Sequence, residues 1–135
     1  MILCDQVQLR VWLQARIRMP FTPNARFIGN GRSNGIIRGV FAFDRWTGTM
    51  AEAHWAGQPG WLTKEFLRAS HRYAIEVCKL KKCFAMIPES NEQSMQAALR
   101  FGWEPQLVIP DGHESGPLCF MLYDLAKNSW YRSDK

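Results

Sequence analysis

The chain contains no uninterrupted apolar run longer than Leu118–Tyr123, far short of the roughly 20 residues a membrane-spanning helix needs. No basic-then-apolar leader opens it. It is therefore expected to work without a membrane, unexported, with the cytoplasm as the default compartment. Cysteine is scarce: Cys4, Cys78, Cys83 and Cys119 form no CxxC pair. Cys78 and Cys119 sit among apolar residues, as small buried hydrophobes do in reducing compartments. A zinc site would need Cys78 and Cys83 to join His71 or His113, but their four-residue gap is wide for a ligand pair and no second pair exists, so no metal is expected. Acidic residues are rare at the amino-terminal end. Up to Arg45 only Asp5 and Asp44 oppose Arg10, Arg16, Arg18, Arg26, Arg32, Arg38 and Arg45. That half should attract anions. A solvated basic face explains it as well, since no basic run or aromatic-spaced RNA motif accompanies the arginines. Internal repeats, low-complexity segments and domain linkers are also lacking. With 135 residues, 47% of them apolar, residues 1–135 should make one domain with a two-layer core.

From Asp5 to Arg18, Leu9, Leu13 and Ile17 recur at four-residue spacing, and Pro20 and Pro23 stop the pattern, so an opening helix is expected. Arg26–Gly31 and Gly35–Phe43 are β-rich runs around Ser33-Asn34-Gly35, a tight-hairpin signal. A loop over Asp44–Gly48 should lead into a third strand, Thr49–Ala56. There Met50, Glu52 and His54 share one face, and Ala51, Ala53 and Trp55 the other.

Beyond Gly57-Gln58-Pro59-Gly60, an amphipathic helix entered at Trp61-Leu62-Thr63 carries Leu62, Phe66, Ser70, Tyr73 and Val77 on one side. Lys64, Arg68 and Arg72 line the other. A short strand, Cys83–Ile87, ends at Pro88, and Ser90 with Gln93 reads as a capping box opening a helix from about Asn91 to Phe101. Gly102 should close that helix in the left-handed conformation. Strands over Gln106–Ile109 and Leu118–Leu125 then flank a loop from Pro110 to Gly116. The third strand reaches the Cys83 strand through a helix, so these two should run parallel in an otherwise antiparallel sheet. The fold class is thus α+β, a mixed and mostly antiparallel sheet flanked by helices, with a cleft at the parallel junction.

A strand, a glycine-bearing turn and a helix start gather backbone N–H groups at the positive end of a helix dipole, which suits phosphate. The candidate donors are the amides of Gly60, Trp61, Leu62, Thr63 and Lys64, with the Thr63 hydroxyl in support. Pro59 has no N–H to give. A proline at position 60 is expected to remove one donor and spare the fold.

From about Ile36 to Tyr123 the chain resembles the Gcn5-related N-acetyltransferases, particularly their small phage- and prophage-encoded members. The resemblance rests on Asn91-x-x-Ser94-x-x-Ala97-Ala98-x-x-x-Gly102-Trp103, which is similar to the family's Asn-x-x-Ala-x-x-Leu-Tyr-x-x-x-Gly-Phe helix. Gln58-Pro59-Gly60-Trp61-Leu62-Thr63 matches the family's pyrophosphate turn in part. The resemblance implies acetyl-coenzyme A as cosubstrate, its phosphates on the turn and its pantetheine arm on Asn91. Cofactor contacts are accordingly expected at Trp55, Ala56, Gly60, Trp61, Leu62, Thr63, Lys64, Asn91 and Ser94. Ala98 stands where the family commonly has the tyrosine that protonates the departing thiolate.

The acceptor would be an amine on a small molecule, a protein or a modified base, attacked directly in a ternary complex. A lysine-like amine costs roughly 4.6 kcal/mol to deprotonate at pH 7, so a base is useful. Glu52 and His54 occupy the strand from which many members supply it, and Glu52 is preferred slightly. The competing expectations are a module of this fold that has lost turnover, and a basic protein binding nucleic acid or a host protein through its amino-terminal half. A homodimer fits either.

Overall fold

In a computed structural model, which describes residues 1–128, seven strands and three helices follow one another. They are β1 (Ile2–Leu3), α1 (Gln6–Ile17), β2 (Arg26–Gly31), β3 (Ile37–Thr47), β4 (Met50–Gly57), α2 (Lys64–Glu76), β5 (Lys82–Pro88), α3 (Glu92–Arg100), β6 (Glu104–His113) and β7 (Gly116–Asp124). They build one sheet in the order β1-β2-β3-β4-β5-β7-β6. All neighbouring strands are antiparallel except β4 and β5, the parallel pair expected from the helical crossover.

The helices divide between the two faces. On one, Leu9 and Leu13 of α1 pack on Phe27, Val40 and Ala42. On the other, Phe66 and Ala74 of α2 cover Ile28, Phe43, Ala51, Ala53 and Cys83. Beside them Ala98 of α3 meets Ala85, Ile87, Cys119 and Met121. The period-2 alternation of β4 thus sorts as the sequence indicates, with Ala51 and Ala53 buried beneath α2 and Glu52 and His54 half-buried on the α1 face.

Several boundaries differ from the sequence reading. The strand expected to end at Phe43 continues through Arg45 to Thr47, because a bulge between Asp44 and Thr47 lets the segment keep pairing with β4. At the bulge Arg45 takes a positive φ of 55°. Asp44 is fully buried and accepts hydrogen bonds from the Thr22 amide (2.8 Å), the Thr22 hydroxyl and the Arg45 amide (2.8 Å). Burial pushes its carboxyl upward, but those donors and the Arg45 charge outweigh it and hold the group below the ordinary carboxylate value.

The proposed loop Pro110–Gly116 is largely strand: β6 extends to His113 and turns tightly into β7. Pro105 and Pro110 escaped a strand reading because proline removes a ladder donor, yet β6 is an edge strand with register shifts beside both prolines, where proline is accommodated. The capping box is a further correction. Asn91, not Ser90, caps α3, its Oδ1 accepting from the Ser94 amide at 3.2 Å, while Ser90 Oγ lies 2.8 Å from Ser115 Oγ. Gly102 is left-handed, with φ 97°. Among the described residues, no helix is long and apolar enough to cross a membrane.

Candidate functional site

The parallel pairing of β4 with β5 is short. Met50, Ala51 and Glu52 face Lys82, Cys83 and Phe84, and beyond Glu52 the two strands no longer pair. The gap is a cleft of about 270 Å³, close to the lower size of small-ligand pockets. His54 and Trp55 line it from β4, Met86 and Pro88 from β5, Asn91 and Ser94 from the start of α3, and Ile17 and Met19 from the end of α1. Because α1 and α3 sit on opposite faces of the sheet, the cleft is lined from both.

Glu52 and His54 are brought together, and they are placed differently. His54 is on the cleft wall, its ring edge-on to Phe21 at 5.6 Å. Glu52 lies behind it, with Oε1 3.1 Å from His54 Nε2 and 3.4 Å from Arg45 Nε. The His54 contact is close but poorly aligned, so Nε2 has no partner of hydrogen-bonding geometry among the described residues. The carboxylate preferred as base from the sequence is therefore the one held by an arginine, and the histidine is the one that reaches the cleft.

The turn between β4 and α2 is pinned to the sheet by Trp61. Its indole covers Gly39 and Gly57, which pair across β3 and β4, and a Cβ on either glycine would overlap the ring. The buried Asn30 donates from Nδ2 to the Trp61 carbonyl at 2.6 Å. Trp61 is thus a core residue, only 7% exposed, and its amide is spent on the Gln58 carbonyl at 3.1 Å. The helix begins later than the sequence indicates. Thr63 is its N-cap, with Oγ1 accepting from the Phe66 amide at 3.1 Å, and the Thr63 amide bonds the Trp61 carbonyl at 3.0 Å. Of the expected donor set this leaves Gly60, Leu62 and Lys64, joined by Glu65, because the first-turn amides of a helix have no intrahelical partner. The Thr63 hydroxyl proton also remains available.

Gly60 sits in this turn with φ 83°, a conformation closed to proline, so the expected tolerance of proline there does not hold. Ala56 packs its methyl against the α1 core and offers the site only backbone.

Three cationic or apolar groups at the site had no local signal. Arg38 extends to the turn, donating from Nη2 to the Pro59 carbonyl at 3.1 Å, and its buried Nε has no partner among the described residues. Only the pairing of Gly39 with Gly57 brings it there. Arg100, from the far end of α3, joins Leu62 and Lys64 around a hollow of about 630 Å³ beside the start of α2. Met86 faces the cleft because β5 alternates, with Ala85 and Ile87 buried on its other side.

Several arginines of the basic half are engaged within the fold. Arg10 donates to the Phe21 and Thr22 carbonyls and lies over Phe27, and Arg16 lies over Trp12. Among the described residues, no group of three or more His, Cys, Asp or Glu could hold a metal ion. Burial pushes the Cys78 thiol up to about 12 and raises that of Cys83 as well.

The arrangement of a mixed sheet splayed at its one parallel pair, with a glycine turn and a helix start beside the opening, is that of the Gcn5-related N-acetyltransferase fold, and solved structures share it. A variant of the spermidine N-acetyltransferase SpeG from Vibrio cholerae superposes with a TM-score of 0.75 at 10% identity, covering 96% of this chain and 95% of that one. The spermidine/spermine N-acetyltransferase SpeG from the same organism, in complex with manganese ions, gives 0.74 at 12% identity over 99% and 96%. The ribosomal-protein-S5-alanine acetyltransferase of Vibrio fischeri gives 0.68 at 9% identity over 96% and 93%. No family model matches the chain, and no curated protein does.

Proposed function

We propose that the protein is an N-acetyltransferase that moves the acetyl group of acetyl-coenzyme A to an amine. The observation that carries this reading is the cleft between β4 and β5, lined from both faces of the sheet, with a phosphate-suited turn at its side. The pyrophosphate would meet the amides of Gly60, Leu62, Lys64 and Glu65 and the Arg38 guanidinium, with Lys64 and Arg100 facing the nucleotide end. The pantetheine arm would run along Asn91 and Ser94. Asn91 Oδ1 is occupied by its cap, so its Nδ2 is the group left to donate to an arm carbonyl.

The acceptor would enter from the α1 face and meet His54. Glu52 and Arg45 stand behind the ring on the Nε2 side, which leaves Nδ1 to accept the amine proton, directly or through water. The amine nitrogen then bonds the acetyl carbon, the carbon–sulfur bond breaks, and the departing thiolate takes a proton. Ala98 is 2% exposed among Ala85, Ile87, Cys119 and Met121, and so supplies no phenol for that last step. A thiol with a pKa near 8.5 leaves tolerably without one.

The test is release of coenzyme A thiol with an amine panel, alongside calorimetry with acetyl-coenzyme A. Binding with amine-dependent thiol release supports the reading, and absence of both contradicts it. His54→Gln should depress the rate at neutral pH, with the deficit shrinking toward pH 9–10 as the amine loses its proton unaided. Glu52→Gln should depress it less. The buried Ala98 favours a second reading, in which the cofactor binds without turnover, and binding with no thiol release for any amine would select it.

A further inference from the structure

We infer that the acceptor is a primary monoamine carried on an apolar, aromatic group and not a polyamine, an inference that rests on the acetyltransferase reading above. The acceptor side of the cleft is walled by Ile17, Met19, Met86 and Pro88. The same sheet face continues across β5 and β7, where Phe84 and Phe120 stack in parallel at 5.3 Å and both stay half-buried, and among the described residues α1 packs instead on β2 and β3. An aromatic substituent can lie against such a surface and gain from burial and ring contact.

The charges point the same way. A polyamine carries several ammonium groups at neutral pH, and each one removed from water needs a carboxylate partner. None of the residues lining the cleft is acidic. The carboxylate on the same face of β4, Glu52, is already paired with Arg45 at 3.4 Å and lies behind the His54 ring. Glu89 follows Pro88 at an exposed position and is not among the cleft-lining residues. At the rim, exposed Arg18 lies between Ile17 and Met19 and repels a polycation. A monoamine has a single ammonium to neutralise, and it does so by losing one proton to His54 before its nitrogen attacks the acetyl carbon. The products are one amide and one coenzyme A thiol.

The experiment compares kcat/KM for 2-phenylethylamine and for spermidine with acetyl-coenzyme A as donor, after calorimetry on the same preparation has recorded donor binding. The expected result is at least a tenfold preference for 2-phenylethylamine. In Met86→Glu, which puts a carboxylate on the apolar wall, that ratio should fall tenfold or more. Equal or better use of spermidine by the parent protein overturns the inference, as does donor binding with neither amine acetylated. In both cases the cofactor reading stands. Loss of donor binding in the parent protein overturns the acetyltransferase reading and this inference with it.

Discussion

Two chain segments enter helices beside the cleft, and they are fixed by different means. The turn into α2 is held from a distance: Trp61 lies over Gly39 and Gly57, Asn30 holds its carbonyl, and Arg38 reaches across from β3. The turn into α3 is held locally, by Asn91 capping the amide three residues on, and Asn91 itself is exposed. A phosphate nest must keep several amides aimed at one point. A pantetheine contact asks only for one side chain at a helix start. On the function proposed above, the more demanding task would fall to the segment braced by the core.

That contrast is broken most forcefully by Trp61→Ala, which removes a large buried ring from over two glycines. It should cost about 3–5 kcal/mol in denaturant melts and weaken acetyl-coenzyme A binding in calorimetry as the turn loses its brace. Gly39→Ala attacks the same contact from the other side. Overpacking of this kind costs about 1–3 kcal/mol, and binding should fall with it even though the residue touches no ligand. Asn91→Ala should cost about 1 kcal/mol, the worth of an N-cap, and weaken donor binding without disturbing the α2 turn, which amide spectra would register separately. Gln93→Ala, at an exposed position outside the actual cap, should leave stability within about 0.5 kcal/mol. A larger loss in a thermal melt would restore the Ser90–Gln93 capping box.

The same contrast explains what was legible in the sequence. Helix α3 carries its signal in local spacing, so its extent and its Gly102 stop are readable, although Asn91 and Ser90 compete for the cap by the same chemistry. The hairpin glycine at 35 and the alternation of β4 are local too, and both faces of β4 follow from that alternation. Trp61 was not readable as a brace. Its partners, Gly39, Gly57 and Asn30, meet it only when β2, β3 and β4 pair, and the same register brings Arg38 to the turn. The division between Glu52 and His54 was hidden for a like reason: alternation assigns both to one face, but the end of the β4–β5 pairing decides which reaches the cleft. Fold order is thus recoverable from punctuation and period, whereas the braces of a site are long-range contacts.

On the function proposed above, coenzyme A would lie across these two turns and the gap between β4 and β5. The most direct measurement is an amide chemical-shift titration of the protein with acetyl-coenzyme A. Saturable shifts are expected at Gly60–Glu65, at Asn91–Ser94 and at Trp55, with the Pro110–Ser115 end of the β6–β7 hairpin unmoved. Saturable shifts confined to that hairpin, or no shifts at millimolar ligand, would contradict it.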